Sequence, residues 1–340
     1  MAERSSQPVA PATADQSGVT GASAVSPIAQ PGAQHVTTGR FRRRYSLLTG
    51  RDKLVLGLMV GIPLALDLIF IWGPTIVSFF LSFTNWNGIG SPFDAKVIGI
   101  TNYQNLFTAY PFFWPALAHN LIWLAWLMFI ATPIGILFAV LLDRVGRGTR
   151  FYQTVFYLPV VLSLAVIGII WKLQYAPEQG FINNVLGRTA NNNLIDWLGD
   201  PSLNLWAALV ATSWRHVGYI MVLYLAGLKA FDPTLREAAK VDGANERQTF
   251  FRVVFPVMMP INVVIVVITT IEALRAFDIA YIINRGKNGL ELLSTLITNN
   301  AISESNRLGF GSAIAVVLLV ISLGPIVAFL TRMMRDQGQR

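Results

Sequence analysis

Six long apolar stretches restrict the fold of this chain more than any other feature of its sequence. A transmembrane helix needs about 20 consecutive, mostly apolar residues. Stretches of this kind lie at about residues 54–83, 117–142, 153–172, 204–229, 259–283 and 309–333. Because backbone polar groups inside a bilayer must be satisfied within the protein, the pattern predicts an all-α membrane protein with six transmembrane helices. We expect residues 40–340 to form this domain.

The distribution of charge supports a membrane protein and predicts its orientation. Only 13% of the residues are charged, against about 25% in soluble domains. Most of the 26 Lys and Arg residues lie before the first stretch, in segments 143–152 and 230–258, or after the last stretch. Cytoplasmic segments carry such an excess, so both termini and segment 230–258 are predicted to be cytoplasmic. Membrane topology thereby explains the net charge of +8, and we expect contact with lipid and none with nucleic acid.

The N-terminal segment, residues 1–39, has a different composition from the rest of the chain. It consists mainly of Ala, Ser, Pro, Gln, Thr and Gly, with few large apolar side chains. A segment of this kind cannot bury enough surface to offset its conformational entropy. We therefore predict a disordered cytoplasmic tail.

Motifs for chemistry or nucleotide binding are absent from the sequence. It has no Cys, no phosphate-binding Gly-x-x-x-x-Gly-Lys-Ser/Thr loop, no His-Glu-x-x-His and no Gly-x-Ser-x-Gly. The three His residues, His35, His119 and His216, are far apart in sequence. These observations predict that the chain is not an enzyme and binds no metal or cofactor itself. If ATP drives its function, another polypeptide must bind the ATP.

A polar segment, residues 230–258, separates the fourth and fifth apolar stretches. Asp232 is a good N-cap, Pro233 suits the first helical position, and Gly243 suits the turn that ends a short helix. A second helix is predicted from about Asn245 to Val254, ending at Pro256. The segment is longer than a simple connection requires. This length favours a docking element over the alternative, a solvated helical hairpin that only joins two spans.

Ionisable side chains in the fifth stretch are candidate functional residues, because charges inside a membrane are expensive. Glu272, Arg275 and Asp278 follow one another at i,i+3 spacing. Two interpretations stay open. The three charges could form an ion-pair ladder that neutralises itself, or they could line a cavity and bind hydroxyl groups such as those of a sugar.

The third and fourth stretches also contain features suited to a polar pathway. In the fourth, Trp214 lies beside Arg215, and an aromatic ring next to a cation can hold a sugar by stacking and hydrogen bonding. The neighbouring His216 is more often a packed histidine than a ligand. In the third stretch, Pro159 and Ser163 predict a break in the helix of the kind that lines a cavity.

The polar segment resembles the EAA loop of ABC importer membrane subunits. The resemblance is carried by Glu237-Ala238-Ala239, Asp242-Gly243-Ala244 and Phe255-Pro256, in a form similar to the carbohydrate branch related to the maltose, trehalose and glycerol-3-phosphate systems. It covers roughly residues 54–333. Two departures are Phe255, where the branch usually has Leu, and Gly286-Lys287-Asn288-Gly289, where relatives often have Gly-Gly-Pro.

The resemblance implies a type I ABC importer permease fold in the cell membrane and an assembly of several subunits. The partners would be a second homologous permease, two copies of an ABC ATPase that binds ATP and Mg²⁺, and an extracytoplasmic solute-binding protein. The chain would form half of a pathway for a carbohydrate. The alternatives are an importer of a non-sugar solute, a stand-alone ion-coupled carrier that uses Asp67, Glu272 and Asp278, and a membrane enzyme.

The resemblance and the polar residues together give two sets of candidate site residues. The set that would contact the ATPase is Glu237, Ala238, Ala239, Asp242, Gly243, Ala244 and Pro256. The set that would line the substrate pathway is Val160, Ser163, Thr212, Trp214, Arg215, His216, Thr269, Glu272, Ala273, Arg275, Ala276 and Asp278.

Overall fold

The computed structural model describes residues 49–144, 148–188, 193–303 and 306–338. The predicted tail, residues 1–39, lies outside these ranges. The chain divides into two units, residues 1–59 and 60–340. In the first unit, the described residues are the start of helix α1 (Gly50–Asp67). Thr49 caps this start, because its amide donates to Asp52 Oδ2 at 2.9 Å and its hydroxyl accepts from the Asp52 amide at 3.3 Å.

Helices make up most of the described residues of the second unit, and the only β-type pairing among those residues is an isolated bridge between Thr84 and Val97. Single π-helical turns lie within or beside several of the helices, at Leu68–Trp72, Leu127–Ala131, Phe250–Val254 and Asn299–Ser303. The remaining helices are α2 (Gly73–Leu81), α3 (Thr101–Thr108), α4 (Phe113–Trp126), α5 (Thr132–Arg144), α6 (Thr149–Val161), α7 (Leu164–Gln174), α8 (Phe181–Val185), α9 (Asn204–Ala230), α10 (Pro233–Val241), α11 (Glu246–Thr249), α12 (Phe255–Val257), α13 (Met259–Leu274), α14 (Asp278–Asn284), α15 (Leu293–Thr298) and α16 (Leu308–Gly338).

Three helical segments are long and apolar enough to cross a membrane as continuous spans. They are Gly50–Leu81, Phe113–Arg144 and Leu308–Pro325. Two further candidates are bent pairs, so the described residues give at most five spans by length and composition. Helix α9 matches the predicted stretch 204–229 but does not meet the same apolar criterion. The structure thus supports a helical membrane protein with three clear spans and leaves the predicted number of six unconfirmed.

The predicted third and fifth stretches both differ from straight helices. The axes of Thr149–Val161 and Leu164–Gln174 meet at 100°, which agrees with the predicted break after Pro159. The fifth stretch is interrupted between α13 and α14. The second helix of the polar segment also differs from its prediction. It continues beyond Pro256 to Val257, and the chain bends by 75° before Met259.

Helix α9 packs closely against α5 and α6 and forms the centre of the second unit. A Cβ atom on Gly135 of α5 would lie 2.8 Å from Ile220 Cβ and 2.9 Å from the Val217 carbonyl oxygen. Gly218 of α9 faces the Phe156 carbonyl of α6 in the same way. Small residues that let helix backbones approach are the usual means of packing in a membrane, where apolar burial gives little drive. These contacts hold α5, α6 and α9 together.

Candidate functional site: the polar segment and the intramembrane polar cluster

The polar segment is ordered by hydrogen bonds among its own residues. Asp232 Oδ1 accepts from the Thr234 amide at 2.9 Å, which caps α10 and holds the pKa of Asp232 below its usual value. Gly243 adopts a left-handed φ of 79° after α10 ends. Asn245 and Gln248 then form a reciprocal capping box, with hydrogen bonds of 2.8 and 2.9 Å, at the start of α11. The predicted helix, glycine turn and second helix are therefore all present.

Most of the predicted coupling residues lie on the exposed surface of the polar segment. The exposed members are Glu237, Ala238, Asp242, Gly243 and Pro256, whereas Ala244 is half-buried and Ala239 is buried. Glu237 has no ion-pair partner within the described part of the chain. The same surface carries two exposed apolar side chains, Leu235 at 40% and Val241 at 86%. An acidic group beside uncovered apolar side chains is suited to contact with another protein.

Ion pairs attach the polar segment to the ends of α5 and α9. Asp143 Oδ2 accepts from Arg236 Nη1 of α10 at 2.7 Å, and Asp143 Oδ1 lies 3.0 Å from Lys229 Nζ of α9. The neighbouring Arg144 pairs with Glu246 of α11 at 3.0 Å. Sequence reasoning had placed no functional residue at position 143. The one sequence feature that could have indicated a role for Asp143 is that it is the only acidic residue among the basic residues that end the second stretch.

A polar cluster inside the unit joins α5, α9 and α13. Glu272 of α13 accepts from Arg215 Nη1 at 2.8 Å, and its other oxygen lies 2.8 Å from His216 Nδ1. His216 Nε2 lies 3.0 Å from Thr132 Oγ1, which in turn lies 3.4 Å from Thr269 Oγ1. With Nδ1 donating to the carboxylate, a neutral His216 accepts from Thr132 through Nε2. The cluster thus joins three helices, and Arg215 Nε stays buried without a hydrogen-bond partner among the described residues.

Of the two interpretations of Glu272, Arg275 and Asp278, the ion-pair ladder does not form among the described residues. Helix α13 ends at Leu274, so Arg275 is its C-cap and Asp278 begins the next helix. The regular i,i+3 spacing that a ladder requires is lost at this break. Glu272 pairs with the fourth stretch instead, and Arg275 and Asp278 are exposed with no ion pair among the described residues.

The break in the third stretch is built by Ser163. Its Oγ accepts from the Val166 amide at 3.3 Å and caps α7, while Leu162 and Ser163 are in extended conformation. Ser163 is exposed, and Val160 on the preceding turn is half-buried. The break therefore presents an exposed polar side chain between the two helices of the bent pair.

The predicted pathway residues differ in how far their side chains are exposed to solvent. Exposed members can meet a solute, and they are Ser163, Trp214, Arg275 and Asp278. The half-buried members are Val160, Arg215, Glu272 and Ala276. The buried members are Thr212, His216, Thr269 and Ala273. Burial agrees with the interpretation of His216 as a packed histidine, and it leaves the buried members without access to a solute in this conformation.

Several residues that support the cluster were not found from the sequence. Thr132 contacts His216, and Trp126 Nε1 donates to Ser213 Oγ at 2.8 Å. Trp171 packs edge-on against Trp214, with ring centroids 6.0 Å apart. These contacts join residues that are distant in sequence. No spacing in a single sequence indicates them.

The described residues, 49–144, 148–188, 193–303 and 306–338, contain no candidate metal site. Within those ranges, no group of three or more His, Cys, Asp and Glu side chains could hold a metal ion. Glu272 and His216 come together, but their third neighbour is the cation Arg215. The cluster is therefore an ion-pair and hydrogen-bond network.

Helices long enough to cross a membrane, a polar cluster between α5, α9 and α13, and an exposed helical segment are together typical of a membrane transport component. The chain belongs to the family of binding-protein-dependent transport system inner membrane components, whose pattern matches residues 131–336. Proteins of this family are transport components and carry out no catalysis themselves. This membership confirms the resemblance drawn from the polar segment and the expectation that the chain is not an enzyme.

Curated relatives agree with this family. The chain is 34% identical over 281 residues to the xylose/arabinose import permease protein XacH of Haloferax volcanii, covering 82% of this chain and 87% of the relative. It is 35% identical to the probable ABC transporter permease protein YurN of Bacillus subtilis, covering 77% and 90%. It is 30% identical to the multiple sugar-binding transport system permease protein MsmF of Streptococcus mutans, covering 76% and 88%.

Two solved structures share the fold. One is a bacterial ABC transporter involved in the import of the acidic polysaccharide alginate, with a TM-score of 0.71, 24% identity, and coverage of 84% of this chain and 96% of that chain. The other is the bacterial alginate transporter in complex with an alginate pentasaccharide-bound periplasmic protein, with a TM-score of 0.72 and 23% identity. Its coverage is again 84% of this chain and 96% of the other.

Proposed function

We propose that this chain is the permease subunit of an ATP-driven importer for a sugar or sugar derivative. Family membership and relatives whose names specify xylose/arabinose and multiple sugars support this function. A stand-alone ion-coupled carrier is not favoured, because the family depends on a binding protein. Such a carrier also needs no segment that contacts an ATPase. The chain forms half of the translocation pathway, and a second homologous permease supplies the other half.

The observation that carries the proposal is the polar segment. It is capped at both of its helices, it exposes Glu237 without an ion-pair partner among the described residues, and it leaves Val241 86% exposed. A surface of this kind fits a cleft on an ABC ATPase. The set Glu237, Ala238, Ala239, Asp242, Gly243, Ala244 and Pro256 makes that contact. Two ATPase copies bind ATP and Mg²⁺, and closure of the ATPase dimer moves the helices as rigid bodies.

The topology follows from the positions of the Lys and Arg residues. Six spans place both termini and the polar segment in the cytoplasm of the cell that carries this protein in its membrane. The loop with Gly286 to Gly289 then lies on the outer side, where the extracytoplasmic solute-binding protein delivers its solute. Helix α9 is the fourth span, and its charged side chains are tolerated because Glu272 neutralises Arg215.

The pathway is formed by the residues that remain accessible at the break of the third span and beside α9 and α13. Ser163, Trp214, Arg275 and Asp278 contact the sugar, with the aromatic ring stacking on the apolar face and the polar groups binding hydroxyls. Val160, Arg215, Glu272 and Ala276 lie at the edge of this surface. The four buried members, Thr212, His216, Thr269 and Ala273, support it from behind.

Reconstitution tests the function. The chain, its second permease, the ATPase and the binding protein are assembled in proteoliposomes, and uptake of labelled pentoses and oligosaccharides is measured. We expect uptake only with ATP and binding protein, and Glu237→Arg should abolish it while membrane insertion is kept. Uptake that persists without the ATPase and collapses with an uncoupler would instead show an ion-coupled carrier.

A further inference from the structure

We propose that Asp143 is a positioning residue that fastens the polar segment to the spans, so that movement of the segment is transmitted to α5 and α9. This inference rests on the proposed function and adds a residue to it. Asp143 belongs to neither set of residues discussed above for ATPase contact or substrate passage. We call Asp143, Lys229 and Arg236 the Asp143 junction.

The junction connects three helices through one carboxylate. Oδ2 accepts from Arg236 Nη1 on α10 at 2.7 Å, and Oδ1 lies 3.0 Å from Lys229 Nζ at the end of α9. The carboxylate itself is at the end of α5. Because each oxygen has its own cation, the two bonds do not compete, and displacing any one helix must break at least one of them.

Because the Asp143 side chain is largely buried, water has little access to its carboxylate and does not readily replace the two cations that bind it. The Asp143 side chain is only 9% exposed, whereas Arg236 is 34% and Lys229 is 61% exposed. Charge-assisted hydrogen bonds to a carboxylate withdrawn from water are stronger than those at a surface. The guanidinium of Arg236 also lies over the Phe231 ring, 5.4 Å from its centroid, which restricts the direction from which it approaches.

A second ion pair nearby serves as an internal comparison. Arg144, the residue next to Asp143, pairs with Glu246 at 3.0 Å, and the two side chains are 51% and 64% exposed. Exposed pairs of this kind contribute little, because water competes and both long side chains lose entropy. The Asp143–Arg236 and Arg144–Glu246 pairs both join the end of α5 to the polar segment, through α10 and α11 respectively, and they differ in access to water.

Apolar packing and the junction act on the polar segment together. Val254 and Met258 of the segment are buried in one cluster with Leu142 of α5 and Leu228 of α9. Beside the junction lies a cleft of about 200 Å³, which Asp143 and Arg236 help to line. Because apolar contacts are non-directional, the bonds of Asp143 supply direction, and their loss should leave the segment folded but less precisely positioned.

The test measures coupling in the reconstituted complex, as sugar molecules transported per ATP hydrolysed. Asp143→Asn and Arg236→Gln should each lower this ratio about tenfold or more, the factor that one hydrogen bond to a charged group supplies. Basal ATP hydrolysis, measured on the assembled complex without binding protein, should remain near the wild-type rate, because the ATPase itself is unchanged. Arg236→Lys keeps the charge and should restore most of the ratio.

Two controls separate transmission from general damage. Arg144→Gln breaks the exposed pair and should leave the ratio within about twofold of wild type. The double variant Asp143→Asn with Arg236→Gln should lose no more than Asp143→Asn alone, because removal of the carboxylate already breaks its bond to Arg236. If the Asp143→Asn variant fails to assemble, the Arg236→Gln variant tests the inference by itself, because the Arg236 side chain is partly exposed and less needed for folding.

Three results would overturn the inference: wild-type coupling in Arg236→Gln, an equal loss in Arg144→Gln, or a double-variant loss equal to the product of the single losses. Failure of the proposed function is distinguishable from these, because wild-type complex would then show no ATP-dependent sugar uptake.

Discussion

The polar segment and the intramembrane cluster are both built from charged and polar residues, but they are organised in opposite ways. In the segment, caps and turns satisfy the polar groups locally, and Glu237 and Val241 remain exposed. In the cluster, Glu272 is satisfied by Arg215 and His216, which lie 57 and 56 residues away in the chain. In water a helix can leave a charge uncovered for a partner, whereas a bilayer requires that the charge find its partner within the protein. The first arrangement is suited to docking and the second to joining helices.

The largest expected effect tests the local order of the polar segment. Gly243→Pro should reduce ATP-driven uptake to background, because Pro fixes φ near −65° where the chain requires 79°. Gly243→Asn is the matched control, since Asn tolerates the left-handed region, and it should retain most uptake. The measurement is sugar uptake together with the amount of chain in the membrane. Equal uptake in both variants would show that the turn has no part in coupling.

The second prediction breaks the cluster. Glu272→Ala leaves Arg215 without its counter-ion, and we expect a loss of about 2–4 kcal/mol of stability, somewhat less than for a fully buried pair because the side chains are 25% and 19% exposed. Thermal unfolding of the purified complex in detergent measures this. Glu246→Gln in the exposed pair is the control, with about 0–1 kcal/mol expected. Similar melting temperatures for both variants would contradict the contrast between the two regions.

The third prediction concerns Arg275, an exposed charge of the fifth stretch that has no ion pair among the described residues, in contrast to the paired Glu272. Arg275 has no ion pair among the described residues, so Arg275→Ala should leave thermal stability unchanged. We expect it to weaken sugar uptake several-fold by removing a hydrogen-bond donor from the pathway, about 1 kcal/mol of binding. Uptake rates are compared at several sugar concentrations. Unchanged uptake and specificity would remove Arg275 from the pathway.

The smallest expected effect concerns pH and the cap of α10. Hydrogen bonds with Thr234 hold the pKa of Asp232 below its unfolded value, so the cap contributes stability at neutral pH. That contribution is lost as pH falls through the folded pKa, because protonation weakens the acceptor. Hydrogen exchange should therefore show α10 opening more often in mild acid. Asp232→Asn keeps an N-cap without a titrating group and should remove this pH dependence.

The polar segment could be read from sequence because each of its signals is local. The Asp232 cap, the glycine turn at 243 and the cap at Asn245 each involve residues at most three apart. The break after Pro159 was predicted for the same reason. The charges of the fifth stretch left two interpretations open, and i,i+3 spacing could not exclude the ladder because it does not show that α13 ends at Leu274. Thr132, which contacts His216, and Asp143, which pairs with Lys229 and Arg236, are distant in sequence from their partners, so no local pattern indicates them. The ATPase contacts and the pathway residues stay predictions.

The pairing of Arg215 with Glu272 also has a consequence for biogenesis. In the proposed topology, the ribosome delivers Arg215 to the membrane well before Glu272 has been synthesised. An arginine near the middle of a helix costs about 2.5–3.5 kcal/mol at the translocon, and α9 is not among the helices apolar enough to span alone. The fourth span therefore depends on the fifth to stay inserted. A chain truncated within the polar segment should leave α9 poorly integrated, as a glycosylation-mapping assay would report.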